Sequence, residues 1–181
     1  VDSEMLSMDS IRLKFNGLDT IADIYLNGSH LGYANNMHRI WDYEVKHLLK
    51  ANNELRVVFH SPTKYIAEAF SKAPTLGTED AMNGFVHIRK AHCMFGWDWG
   101  AHLPDMGIWR DVTLRGVYIA EVTNAQILQF HEDSKVRLIV LPEIRDVSAD
   151  KYIVEYYLKS PSGVEEKITS EHIITTPKLW W

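Results

Sequence analysis

Apolar side chains recur at every second position in short runs closed by tight turns, and this rhythm restricts the fold more than any other feature of the chain. Ile11 to Phe15 reads Ile-Arg-Leu-Lys-Phe. Successive side chains of a strand point to opposite faces, so such a run predicts a strand with one face buried. Asn16-Gly17 supplies a turn. Ile21 to Leu26 predicts a second strand, and Asn27-Gly28 a second turn, since both residues accept the positive φ that a two-residue hairpin demands. His30 to Tyr33 is the return strand. Trp41 to Val45 alternates again, and Val45 to Ala51 fits a helical turn. Glu54 to His60 predicts a further strand, ended by Ser61-Pro62 because proline cannot donate to a ladder. Thr63 to Ser71 has helical spacing, with Tyr65, Ile66, Ala69 and Phe70 able to share a face. Lys72 to Asn83 and Phe95 to Gly107 have neither period and read as loops, and Trp109 to Arg115 returns to the strand pattern.

After Gly116 the texture changes. Val122 to Leu128, Val136 to Leu141, Tyr152 to Leu158 and Glu166 to Thr169 read as successive strands between polar turns. Short strands at regular spacing suggest an immunoglobulin-like sandwich. The expected fold class is all-β, in two domains, 1–117 and 118–181. The chain opens at Val1 in front of a strand and stops at Trp180-Trp181, and both ends read as cuts through a domain.

The formal net charge of −5 argues against nucleic acid or an anionic membrane as partner, because both select basic surfaces. No apolar run approaches the ~20 residues that span a bilayer. With Cys93 the single cysteine, no intrachain disulfide can form, which leans towards a reducing compartment.

The chemistry concentrates between Phe85 and Val112, where three of the six tryptophans fall: Trp97, Trp99 and Trp109. Gly96, Gly100, Pro104 and Gly107 stand among them. Exposing tryptophan and ordering glycine both cost free energy, so a loop that combines them needs a defined path with flat faces on it. Flat rings beside a carboxylate suit a pyranose, whose C–H face stacks while its hydroxyls donate to Asp. Two readings stay open here. Trp97-Asp98-Trp99 on a strand would put both rings on one face as core packing, with Asp98 in solvent; on a loop they would form a binding platform.

Other candidates are weaker. His87, His92, Cys93 and His102 lack the compact ligand pairs of a metal centre, and nothing nearby argues for a lowered Cys93 pKa. Neither a metal nor a cofactor is expected. Trp41 reads as a packed aromatic at a strand start, and Arg110 as half of a structural ion pair. Arg89 and Lys90 pair with Asp98 or Asp105, or are solvated. Asn27-Gly28-Ser29 fits a glycosylation acceptor, but in a tight turn it is discounted.

Phe95-Gly-Trp-Asp-Trp-Gly100, followed by Leu103-Pro104 and Gly107-Ile-Trp-Arg110, resembles the β-mannosidase-like branch of glycoside hydrolase family two. Asp19 to Gly28 resembles the hairpin of that family's first domain, Asn53 to Val58 its next strand pair, and Pro177 to Trp181 a segment late in its second domain. Ala101 departs from the branch, which usually has proline there; a looser loop with function kept is the expectation. The resemblance implies a jelly-roll, galactose-binding-like β-sandwich over 1–117 and an immunoglobulin-like β-sandwich over 118–181, both truncated. It implies a retaining hydrolase whose two glutamates, ~5 Å apart, lie on a separate barrel. No glutamate here resembles those, so no catalytic residue is assigned. By motif, Trp97 and Asp98 become substrate contacts, Asp98 foremost for a hydroxyl, with Trp99 as support or wall. The implied partners are a carbohydrate and the barrel of the same polypeptide. The alternatives are a free-standing carbohydrate-binding module, or the same region of a β-galactosidase- or β-glucuronidase-type enzyme.

Overall fold

Strands dominate the structure, a computed structural model that describes residues 1–132, 135–148, 152–170 and 176–180. Trp181, the last residue of the Pro177–Trp181 segment, lies outside the described residues. The chain divides into two compact units, Val1–Gly116 and Val117–Trp181.

In the first unit, β1 (Ser10–Phe15) is the centre of a three-stranded sheet. β5 (Trp41–Glu44) and β8 (Val112–Val117) flank it. A second sheet has β3 (Ile21–Leu26) between β4 (Ser29–Asn35) and β6 (Leu55–Phe59). The period-two pattern explains why the sheets stack. Ile11, Leu13 and Phe15 from β1 meet Ala22, Ile24 and Leu26 from β3 in one buried cluster. Trp41, Tyr43, Val57, Phe59, Val112 and Leu114 pack around it from the outer strands. The first unit is thus an all-β sandwich with open sheet edges, as expected.

Turn chemistry sets the β3–β4 register. Asn27 and Gly28 take φ of 50° and 83°, the pair of positive values that a twisted hairpin needs. Asn27 does a second job: its Nδ2 donates to Leu48 O and Asn53 Oδ1, both at 2.8 Å, and its Oδ1 accepts from Glu54 N at 2.9 Å. Both amide hydrogens of the candidate acceptor are therefore in use.

Two helices interrupt the strands. α2 (Pro62–Lys72) starts where expected, with Ser61 Oγ accepting from Lys64 N at the cap and Pro62 in the first turn. Ile66 is its buried anchor. α1 (Ser3–Ser7) precedes the first strand and was not expected; Asp2 caps it through Met5 N at 2.8 Å. Near Gly116, a Cβ would stand 2.5 Å from Met8 Cγ, so this approach needs glycine.

The expected strand from Trp109 to Arg115 is divided. β7 (Gly107–Ile108) pairs with β2 (Leu18–Asp19), and only Val112 resumes as β8. Trp109 leaves the ladder because its indole covers Gly17, where a Cβ would lie 2.5 Å from Nε1. Arg110, expected in an ion pair, instead lays its guanidinium 4.1 Å from the Trp109 ring centroid.

The second unit holds β9 (Ala120–Glu132), β10 (Lys135–Asp146), β11 (Val154–Lys159), β12 (Glu165–Ser170) and β13 (Thr176–Trp180). They form one sheet of order β13-β10-β9 and a pair β11-β12. The first two strands run longer than the alternation suggested, because pairing continues past Pro142, which faces Ala125 of β9. Among the described residues β13 pairs with β10 from Val136 to Val140, short of Pro142.

Candidate functional site

Gly96 ends a 3₁₀ turn, His92–Phe95, and begins the loop that carries the three candidate residues. It takes φ 121°, and a Cβ would strike Asp80 O and the His102 ring. Only glycine follows this path. Asp98 takes φ 40°, and Gly100 N donates to the Trp97 carbonyl, which closes a tight turn around Trp97-Asp98-Trp99. This is a turn and not a strand, so the two rings are not placed by sheet alternation. Trp97 is 65% exposed and Trp99 93% exposed, and Asp98 is exposed between them. The core-packing alternative therefore fails for both tryptophans.

The loop is held at both ends. On its N-terminal side Phe95 is fully buried with Ile21, Ile66 and Ile88, and its carbonyl accepts from Met82 N at 3.0 Å. His102 Nε2 donates to Asp80 O at 2.9 Å and ties the middle of the loop to the preceding segment. On the C-terminal side Lys90, with no side-chain exposure, donates its Nζ to Asp19 Oδ2 and sits 3.5 Å from Asp105 Oδ1. Asp19 is almost as buried, and Thr20 Oγ1 donates to its other oxygen. Lys90 thus bonds to Asp19, which sequence alone did not suggest, and also meets Asp105, one of the two partners considered. A buried ammonium must be paired and hydrogen-bonded to be tolerated, and this one is. Asp19 also faces Gly107 across the β2–β7 pair, so ladder and ion pair act at one point.

The histidines near the loop serve the backbone. His87 Nε2 donates to Ala73 O at 2.9 Å and His92 Nε2 to Ile88 O at 3.3 Å. Among the described residues no group of three or more His, Cys, Asp or Glu is placed to hold a metal ion. Trp41 stands at the start of β5 with Arg39 4.8 Å from its ring centroid. Its buried Nε1 has no hydrogen-bond partner among the described residues.

Chemically, the loop offers two accessible indole faces and one accessible carboxylate on a fixed backbone. Rings of this kind stack against apolar faces, and a carboxylate takes hydroxyl protons. Such an arrangement offers stacking faces and a hydroxyl acceptor.

Residues 1–110 match the family described as glycosyl hydrolase 2 galactose-binding domain-like. A β-mannosidase of Capra hircus is 34% identical over an alignment of 128 positions that covers 66% of this chain and 15% of that protein. β-Mannosidase B of Aspergillus oryzae is 30% identical over 190 residues, covering 95% of this chain and 22% of that protein. The crystal structure of a β-D-mannosidase from Dictyoglomus thermophilum is similar with a TM-score of 0.86 at 30% identity, over 99% of this chain and 22% of that one. The chain thus spans between 15% and 22% of the length of these relatives. Its fold, its exposed Trp-Asp-Trp turn and these likenesses lead to one assignment: the chain belongs to glycosyl hydrolase family 2, with that family's galactose-binding-like domain over residues 1–110, on the β-mannosidase-like branch.

Proposed function

We propose that this chain is a non-catalytic accessory region of a retaining exo-glycosidase that hydrolyses terminal β-D-mannose residues. In this reading the catalytic barrel belongs to the same polypeptide outside these residues. Trp97 and Asp98 line the pocket for the terminal sugar, Asp98 accepts a hydroxyl hydrogen bond, and Trp99 forms wall or support. The first unit is the jelly-roll domain, and the second is immunoglobulin-like. The observation that carries the proposal is the exposure of Trp97 and Trp99 on a turn anchored by buried Phe95 on one side and by Lys90 and the β2–β7 pair on the other. Contiguous exposed apolar surface marks an interaction site. Leu103 and Met106 are also exposed on this segment, which supports a covering surface here.

The test is hydrolysis of a panel of nitrophenyl glycosides by the enzyme that contains this chain, with the 181-residue chain alone as control. Preference for the β-mannoside with an inert control supports the reading. Preference for a β-galactoside or β-glucuronide keeps the family and discards the role of the Trp-Asp-Trp turn. Asp98→Ala in the enzyme is expected to lower kcat/KM roughly ten- to a hundredfold with the fold intact, the worth of a hydrogen bond to a charged group. Unchanged kinetics would remove Asp98 from the site.

The same exposure favours a second reading, a carbohydrate-binding module acting alone. Retention of the isolated chain on immobilised mannan, lost in Trp97→Ala, would favour it.

A further inference from the structure

The outer face of the β4-β3-β6 sheet carries a second group of aromatic and ionisable side chains, separate from the Trp97–Trp99 turn. Asp23 lies on β3 at a position pointing away from the core. His30 Nε2 donates to its Oδ1 at 2.8 Å, and His60 Nε2 to its Oδ2 at 2.7 Å. The cluster continues along the sheet: the His30 and Tyr25 ring centroids are 5.0 Å apart, and the Arg56 guanidinium lies 4.4 Å from the Tyr25 centroid. Beside Asp23 opens a cavity of ≈ 590 Å³ lined by Tyr33, Phe59, His60, Lys64, Tyr65 and Glu68. Its size suits a small ligand. Tyr33 and Tyr65 are 44% and 38% exposed at its wall.

This lining discriminates among ligands. An anion would face the Asp23 and Glu68 carboxylates with Lys64 as the one lysine or arginine on the wall. A metal ion would have to displace both imidazoles from Asp23, and no ready ligand set exists among the described residues. An apolar ligand would desolvate carboxylates and an ammonium without pairing them. A neutral ring with an apolar face and a polar rim meets every wall. Its C–H face stacks on tyrosine, and its hydroxyls donate to Asp23 or Glu68 and accept from Lys64. Each Asp23 oxygen accepts one imidazole proton and keeps a lone pair for a hydroxyl.

We propose that this face is a saccharide-binding site, in which Tyr33 and Tyr65 are the stacking rings and Asp23, fixed by His30 and His60, is the hydroxyl acceptor. It does not rest on the role given to Trp97 and Asp98, and it stands if that turn never meets a sugar.

The test is titration of the ¹⁵N-labelled 181-residue chain, followed by NMR, with mannobiose and with cellobiose, and with phosphate and zinc as counter-probes. Saturable shifts at Asp23, Tyr33, His60 and Tyr65 with either sugar are expected. Tyr65→Ala, a change on the helix surface, is expected to weaken binding about three- to tenfold, and Asp23→Asn roughly ten- to a hundredfold. The proposal is overturned by shifts confined to residues 97–99, by no saturable shift with either sugar, by undiminished binding in Tyr65→Ala, or by saturation of these residues with phosphate or zinc alone.

Discussion

The Trp97–Trp99 turn and the outer face of the β4-β3-β6 sheet carry the same kinds of group, aromatic rings beside a carboxylate, on opposite kinds of backbone. The turn is irregular, its carboxylate is open to solvent, and its fixing points lie outside it, at Phe95, His102, Lys90 and the β2–β7 pair. The sheet face is a hydrogen-bonded ladder with one register shift between Ile24 and Tyr25, and its carboxylate is gripped directly by two imidazoles, His30 on β4 and His60 just past β6. Irregular backbone therefore needs buried anchors outside the site. Regular backbone supplies the frame itself and leaves the side chains to hold one another.

The contrast breaks most visibly at the anchors. Lys90→Ala leaves Asp19 buried and unpaired, and a loss of about 3–5 kcal/mol in urea unfolding is expected. Pairing Lys90→Met with Asp19→Leu should return much of that loss, since an apolar pair of similar volume carries no desolvation cost. If Lys90→Ala unfolds like the parent, the ion pair does not hold the turn. Gly96→Ala comes next. Its φ of 121° and the blocked Cβ position predict about 1–3 kcal/mol of strain. Gly28→Ala, with φ 83° but nothing within 4 Å of the new Cβ, should cost only ~1 kcal/mol.

The sheet face should respond to acid. Hydrogen bonds from His60, then from His30, hold the Asp23 carboxyl below its usual value of 3.8. A depressed carboxyl stabilises the fold fully above that value, and the contribution fades as pH falls from there through the folded-state value. Because the cluster is partly exposed, the contribution is below ~1 kcal/mol. Unfolding of the chain and of Asp23→Asn across that window should show the two curves converging in acid. The smallest effect belongs to Trp99→Ala, with stability within about 0.5 kcal/mol of the parent because the ring is 93% exposed. A larger loss would mean that the ring packs where it is placed in solvent.

This contrast also explains what the sequence revealed. The turn was legible because its residues are contiguous: glycines, tryptophans and a carboxylate in one string. So were β1, β3, β6 and α2, whose periods are local. The Asp23 cluster was not legible, because His30 and His60 reach Asp23 only through the pairing of β3 with β4 and β6. Asp23 by itself is an ordinary outward position in an alternating strand. The Asp19–Lys90 pair was hidden for the same reason, its members being far apart in sequence and joined only by folding. Helix α1 escaped because its few residues carry no period long enough to register. The Trp109 break escaped because its cause, the bare backbone at Gly17, lies on another strand.

The buried anchorage of the Trp-Asp-Trp turn also fixes when its ordering is settled. Restricting one residue's backbone costs roughly 1–2 kcal/mol of conformational entropy. With Phe95, Lys90 and the β2–β7 pair in place, that cost is met during folding, before any ligand arrives. A partner that lands on the turn meets a surface already in shape, so its binding free energy is not spent on immobilising a loop. Loosening an anchor would therefore weaken recognition at a distance, without removing one contacting atom.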